Sequence, residues 1–360
     1  MKTLMLSEGN ITYNGRLIEL YSAMKKISDV TLISIADSID DKIDSNHYVI
    51  KKQNGKCKKI IYMIKSFKIS RNIDFDILFI DNTEACIIGM LLIIFLRPKK
   101  VILDSRELYV KGDFDNWKMK VLTFFERKVI KKADIHICAN KYRAELMRKI
   151  YDLKKAPIVF ENIRMINELS EVDNKYSVQL EKANITRILS TGGLIMERAL
   201  PIVKAMAELG EGYELYILGR GSDIEIDKMN QVIREMNLKN VFFVGPTKRS
   251  VMRYFIQKCD IGVVYYSGKN MNEKLCASGK LYEYMQEKKP FVGPKLIPLE
   301  DLCNEYGVGE CDSSLAKAIL RVKNNYQQYQ ENIEKYMKKI DVDKNNYKLS
   351  EKIKASLYID

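Results

Sequence analysis

Short apolar runs alternate with amphipathic stretches along most of the chain. In the first half, Thr3–Leu6, Val30–Ile35, Ile77–Ile80, Val101–Leu103 and Ile135–Cys138 have the length and apolar content of buried strands, and helical segments separate them. In the second half the alternation is clearer. The runs "RILST" (187–191), "ELYIL" (214–218), "VFFVG" (241–245), "DIGVVYY" (260–266) and "PFVGP" (290–294) predict strands. Between them, "ALPIVKAMAEL" (199–209) predicts a helix with Leu200, Val203 and Ala207 on one face. Met229, Val232, Ile233 and Met236 recur at i, i+3, i+4 and i+7, and a further helix carries Val251, Tyr254 and Phe255. Such alternation predicts an α/β protein of parallel sheets with helices on both faces. The polar segment Glu168–Asn184 lacks a strong apolar period and reads as the junction between two such domains.

Composition narrows the class. With 360 residues, 46% of them apolar and 30% charged, the chain can bury two ordinary cores and is not a disordered polymer. The apolar run Leu4–Leu6 is too short for a signal peptide. The longest apolar run, Ala85–Leu96, contains Gly89 and falls short of the ~20 residues of a membrane span. Seven scattered cysteines with no C-x-x-C pair read as reduced thiols, which points to the cytoplasm. Only His47 and His136 are present, leaving almost no material for a zinc site or a histidine triad; His136, in an apolar strand, reads as a core residue.

The charge is uneven. Residues 1–165 carry 31 Lys and Arg against 20 Asp and Glu, a net of +11, whereas residues 166–360 carry 29 against 27. From Lys51 to Arg71 there are eight basic residues and no acid. Within that run, "KCKKIIYMIKSFKISR" (56–71) places Ile60, Ile61, Ile64 and Phe67 near one helical face, with Lys58, Lys59, Lys65 and Lys68 around it. This is the pattern of a helix lying in an anionic membrane interface, and equally of a helix packed on a sheet. Seven basic residues from Lys111 to Lys132 come with three acids and no nucleic-acid recognition motif.

Candidate chemistry concentrates in "ASGKLYEYMQEKKP" (277–290). Ser278 is placed to cap a helix over Gly279–Lys288, and Gly279 permits close approach of a ligand to the backbone. The first turn of such a helix presents free N–H groups, and Lys280 adds a full positive charge, a combination suited to phosphate. Glu283, one turn on, can accept hydrogen bonds from the vicinal hydroxyls of a ribose. A surface helix with an i,i+3 ion pair has the same pattern.

The neighbouring strings favour the binding-site alternative by resemblance. "ILSTGGLIMERALPIVKAM", "YELYILGRGS", "VFFVGPTKRSVMRYFIQ" and "CDIGVVYY…GKLYEYMQEKKPFVGP" occur in the order and spacing of the C-terminal half of GT-B glycosyltransferases, and the chain resembles glycosyltransferase family 4 (group 1) from Ile188 to Val292. "VILDSREL" (101–108), "KKADIHICANKYRAEL" (131–146) and "IVFENI" (158–163) extend the resemblance more loosely into the first half. It implies a GT-B fold: two Rossmann-like domains facing a cleft. Residues 1–167 would bind the acceptor, 168–184 would link, 185–340 would bind a nucleotide-sugar donor, and a C-terminal helix in 341–360 would cross back to the first domain. Glu283 would bind the nucleotide ribose. Arg198, Lys280 and the backbone of Gly279 and Leu281 would hold the diphosphate, with Lys274 as a further cation. Val244 and Gly245 would cradle the base. Asn14, Gly15, Arg106 and Glu107 would line the acceptor side. The implied chemistry is sugar transfer with retention, without a cofactor or bound metal, to a lipid-linked or cell-surface glycan, by a cytoplasmic protein peripheral to the membrane.

The sequence departs from that family at several places: no second basic residue stands near Gly193, Ala199 replaces a glycine, no histidine matches the acceptor cleft unless Arg106 replaces it, and the acid pair is altered. The usual acid pair, E-x7-E, would need an acid at Leu275, and the nearest one is Glu273. The altered pair keeps open a catalytically degenerate scaffold. A nucleotide-sugar 2-epimerase of the same fold is also open, although two histidines supply little acid–base material. Gly219-Arg220-Gly221 lacks the third glycine of a dinucleotide fingerprint. Asp113-Phe114-Asp115 is a D-x-D, which reads here as acids before a helix start rather than a metal motif.

Overall fold

The computed structural model describes residues 1–360 except 13, 39–40, 53–57, 111, 115, 170–179, 182 and 359–360. Asp115 of the D-x-D, Lys56 and Cys57 of the basic run and most of the expected junction therefore lie outside the described residues. The first half runs β1 (Lys2–Ser7), α1 (Gly15–Lys25), β2 (Asp29–Ala36), β3 (His47–Lys51), α2 (Lys58–Ser70) and β4 (Ile77–Asp81). A 3-10 turn (Thr83–Ala85), α3 (Cys86–Leu96), β5 (Lys100–Ser105), α4 (Trp117–Ile130), β6 (Ile135–Cys138), α5 (Lys141–Tyr151) and β7 (Ile158–Val159) follow. The second half runs β8 (Thr186–Thr191), α6 (Met196–Leu209), β9 (Tyr213–Leu218), α7 (Asp223–Glu235), β10 (Val241–Gly245), α8 (Arg249–Lys258) and β11 (Ile261–Val263). It continues through α9 (Met271–Lys274), α10 (Lys280–Gln286), β12 (Phe291–Gly293), α11 (Ile297–Tyr306), β13 (Gly309–Cys311), α12 (Leu315–Asn324), α13 (Tyr326–Met337) and α14 (Val342–Leu357).

Two compact units result: residues 1–162 with 342–360, and residues 163–341. The first holds a seven-stranded sheet in the order β3-β2-β1-β4-β5-β6-β7, and the second a six-stranded sheet in the order β10-β9-β8-β11-β12-β13. Every pairing is parallel. In the first unit, Leu4 and Leu6 join one buried layer and Met5 the other, so β1 is covered on both faces and reads as a continuous apolar run. In both sheets the strand order reverses beside the first strand, at β1/β4 and at β8/β11. Ligand crevices of open parallel sheets form at such switch points, beyond the carboxyl ends of the strands.

The short edge strands β3 and β13 are not among the expected runs: "HYVIK" and "GEC" are too brief or too polar to stand out, and pairing to a finished neighbour forms them. Residues 163–167, placed in the first domain by composition, bond along the second unit. Gln286 bridges the N–H and carbonyl of Ile166, Arg249 reaches the Met165 carbonyl, and Arg253 the Asn167 carbonyl. Helix α14 packs on α1, where Ser350 Oγ donates to the Ala23 carbonyl at 2.9 Å and Leu349, Ile353 and Leu357 enter the first unit's core. His136 is half-buried against the Ile130 carbonyl at 2.8 Å, and burial lowers its pKa.

Candidate functional site

Of the residues singled out in the second unit, Lys280, Glu283 and Arg198 gather at the β8/β11 switch point, while Val244 and Gly245 end the edge strand β10. Tyr284 fixes this end of the sheet. Its ring lies against Gly262 of β11, and its hydroxyl contacts the Thr191 N–H at 3.2 Å and Thr191 Oγ1 at 3.0 Å at the end of β8. Leu281 and Met285 bury the inner side of α10. Helix α10 spans Lys280–Gln286, shorter than expected at both ends. Its N-terminal boundary residue is Gly279, and Ser278 does not cap it: the Ser278 hydroxyl is buried without a hydrogen-bond partner among the described residues.

Lys280 leans over Gly192, where a Cβ would stand 2.6 Å from the Lys280 Nζ and where φ is +104°, two reasons for glycine at that turn. Part of the lysine's surface stays accessible, but its ammonium lies deep. Burial, and then the nearby Arg198, push its pKa down to about 8 against the opposing pull of Glu283. Glu283 is 3% exposed. Its Oε1 lies 2.8 Å from Arg164 Nε, whereas Oε2 is buried with no hydrogen-bond partner among the described residues. Arg164 crosses Gly279 so closely that a Cβ there would stand 2.5 Å from its Nε. This ion pair links residues that are distant in sequence, and no local pattern announces Arg164.

Arg198 projects from the first turn of α6. Its Nη2 donates to Glu273 Oε1 at 2.9 Å, and its guanidinium lies 4.8 Å from the centre of the Tyr266 ring. Glu273 is itself buried, and its Oε2 accepts from the N–H groups of Ser267 (2.8 Å) and Gly268 (3.1 Å) and from the Ser267 hydroxyl. Burial works to raise its pKa, but the Ser267 and Arg198 hydrogen bonds outweigh it and hold the carboxyl below its usual value. The missing acid at Leu275 is thus no gap in charge. Leu275 is buried and apolar, and the carboxylate that reaches Arg198 comes from Glu273 on the short helix α9. Lys274, its neighbour, is exposed. Gly245 ends β10 with φ +89°, its carbonyl accepting from the Gly219 N–H at 2.9 Å, and Val244 beside it is partly exposed.

In the first unit, Asn14 caps α1 by accepting from the Leu17 N–H at 3.3 Å, and Gly15 opens that helix. Arg106 follows β5 and lines a cavity of about 410 Å³ with Glu8, Lys59, Tyr62 and Asp81. Asp81 is buried; it accepts from Ser7 Oγ at 2.5 Å through Oδ2, while Oδ1 has no hydrogen-bond partner among the described residues. Burial raises its pKa against the opposing field of Arg106. The Glu107 N–H donates to Asn82 Oδ1 at 3.2 Å, which positions the turn after Arg106. Sequence reasoning missed Arg16, which is buried in a two-pronged pair with Asp104 (2.8 and 2.6 Å) and donates to the Phe160 carbonyl at 2.7 Å. The pair ties α1 to β5 and to the end of β7. Among the described residues no cluster of His, Cys, Asp and Glu has the geometry to hold a metal ion, and no helix is long and apolar enough to cross a membrane.

These two sheets, with their switch-point sites, define the GT-B fold, and solved structures bear this out over the whole chain. Anabaena HepE in complex with UDP and glucose is 16% identical, with 99% of this chain and 100% of that one covered at a TM-score of 0.76. Sucrose-phosphate synthase from Thermosynechococcus elongatus is 13% identical, with both chains fully covered at 0.79. A UDP-N-acetylglucosamine 2-epimerase is 12% identical, with 93% and 89% covered, at a lower 0.60. No protein-family model matches the sequence, and no curated protein matches it.

Proposed function

We propose that the protein transfers a sugar from a nucleotide-diphosphate sugar to a glycan or lipid-linked glycan acceptor. One observation carries this reading. Glu283 Oε2 is a buried carboxylate oxygen with no hydrogen-bond partner among the described residues, one helical turn from Lys280, whose deep-lying ammonium is near Arg198. A buried acceptor left open costs about 1–3 kcal/mol, and a ribose hydroxyl would satisfy it while a diphosphate takes the two cations. The likeness to a structure holding UDP and glucose favours a uridine nucleotide as donor.

In this reading Arg198 and Lys280 stabilise the negative charge that grows on the diphosphate as its bond to the sugar's C1 breaks. The acceptor oxygen bonds to C1 on the same face, and its proton passes to the departing phosphate oxygen. Glu273 holds Arg198 in place. Asn14, Gly15, Arg106 and Glu107 serve the acceptor in the first unit, whose net positive charge suits a lipid-linked substrate at an anionic membrane.

Calorimetry with UDP, then product analysis with UDP-glucose with and without an acceptor, tests the reading. Binding followed by acceptor-dependent release of UDP is expected. Isomerisation of the sugar without an acceptor would make the protein an epimerase. Absence of nucleotide binding would make it a scaffold.

A further inference from the structure

Helices α2, α3 and α4 lie side by side on one face of the first unit. The middle one, "CIIGMLLIIFL", contains no charged residue. An all-apolar helix belongs in a core or against lipid. Its inner side does enter the core through Ile88 and Leu92, yet Ile94 is 50% and Phe95 65% exposed. The flanking helices continue the apolar surface. On α2 the buried stripe is Tyr62, Ser66 and Ser70, which turns Ile60 and Ile64 outward. The core-packing alternative for that face therefore fails at those two residues. Phe67 of α2 meets Phe95 edge-on at 5.9 Å, joining the two helices at the surface. On α4, Trp117, Val121 and Phe124 recur at i, i+4 and i+7 and are all exposed, with Trp117 at 68%.

The exposed charges on these helices beside the patch are basic: Lys65 and Lys68 on α2, Arg97 at the end of α3, and Lys118, Lys120 and Lys128 on α4, whereas Lys59 lies on the cavity side, 3.9 Å from Glu8. The sole acid on the three helices, Glu126, is buried and accepts from Thr83 Oγ1 at 2.8 Å. An apolar centre with an aromatic rim and a basic border matches a bilayer whose headgroups are anionic. Lysine stems lie along the apolar surface with their ammoniums at the phosphates, and tryptophan favours the interface.

We propose that α2, α3 and α4 together form the surface by which the first unit docks on an anionic lipid bilayer, an inference that rests on the reading that this unit serves a lipid-linked acceptor. Trp117 is the chain's single tryptophan, so its fluorescence reports on this face alone. The full-length protein is mixed with vesicles of phosphatidylcholine, or of phosphatidylcholine with phosphatidylglycerol. With the anionic vesicles, Trp117 emission should shift to the blue and be quenched by spin-labelled lipid, and the protein should float with the vesicles, less so at high salt. Phe95→Ser with Phe124→Ser should lower vesicle partitioning roughly tenfold or more. Lys118→Gln, Lys120→Gln and Lys128→Gln together should remove much of the salt dependence. UDP binding should be unchanged in both variants, which shows that they are folded and separates this test from that of the donor site. An unshifted Trp117 in the presence of anionic vesicles would overturn the proposal, as would undiminished flotation of the serine variant. A protein that dimerises through this face and ignores vesicles would overturn it in favour of a second copy.

Discussion

Replacing Lys280 by methionine should stabilise the free protein while destroying donor binding. Methionine fills a similar volume without a charge. The Lys280 ammonium titrates at about 8 in the folded chain against 10.5 for the ordinary group. Below pH 8 both the folded and unfolded chains carry the charge, and the folded one holds it in a desolvated site beside Arg198. The difference corresponds to on the order of 3 kcal/mol, which the lysine's partial exposure reduces to about 1–3 kcal/mol. Above pH 8 the folded chain releases its proton while the unfolded one retains it, so wild-type stability rises relative to the variant until about pH 10.5. Differential scanning calorimetry at pH 7 should therefore place the variant's melting temperature several degrees above wild type, since each kcal/mol moves it by about 2–4 °C in a unit of this size. The gap should close by pH 10. Calorimetric titration at pH 7 should show UDP binding lost, because in the proposed reading the same deep-lying charge is the one the diphosphate neutralises. A variant that melts below wild type at pH 7, with no convergence at pH 10, would refute the reasoning and make Lys280 a structural residue.

Three further outcomes follow from the same geometry. Glu283→Gln should weaken UDP binding by about 1–3 kcal/mol, measured by titration calorimetry, because a ribose hydroxyl loses its charged acceptor. Arg198→Ala should lower kcat more than it raises KM for the nucleotide sugar, since the charge it meets grows as the bond breaks; steady-state kinetics would show a pure KM effect if it only anchors the ground state. Glu126, pushed up to about 8 by burial, contributes stability that is full below its ordinary value near 4.5 and is lost as pH rises through about 8. Glu126→Gln should accordingly raise the urea midpoint at pH 9 and leave it nearly unchanged at pH 5.

Much of this protein is legible in its sequence because local physics dictates it. The runs at Thr3–Leu6, Ile77–Ile80 and "ELYIL" become central strands, since a strand covered on both faces must be apolar at every position. Lys280 and Glu283 stand out locally as a cation and a carboxylate one turn apart at a helix start, whereas Arg198 is singled out only by the family resemblance. What the sequence withholds depends on which distant segments meet. Arg164 becomes the partner of Glu283 only when residues 163–167 thread along α10, and the chain between them contains four strands of the second sheet. Glu273 reaches Arg198 through a loop whose path its length alone does not show, so an apparent gap at Leu275 conceals an intact charge pair. Amphipathic period cannot say which of two stripes on α2 faces inward: Tyr62, Ser66 and Ser70 repeat as regularly as Ile60 and Ile64. The neighbouring helix α3 decided it, because two helices packed on one sheet leave each other a single face to bury.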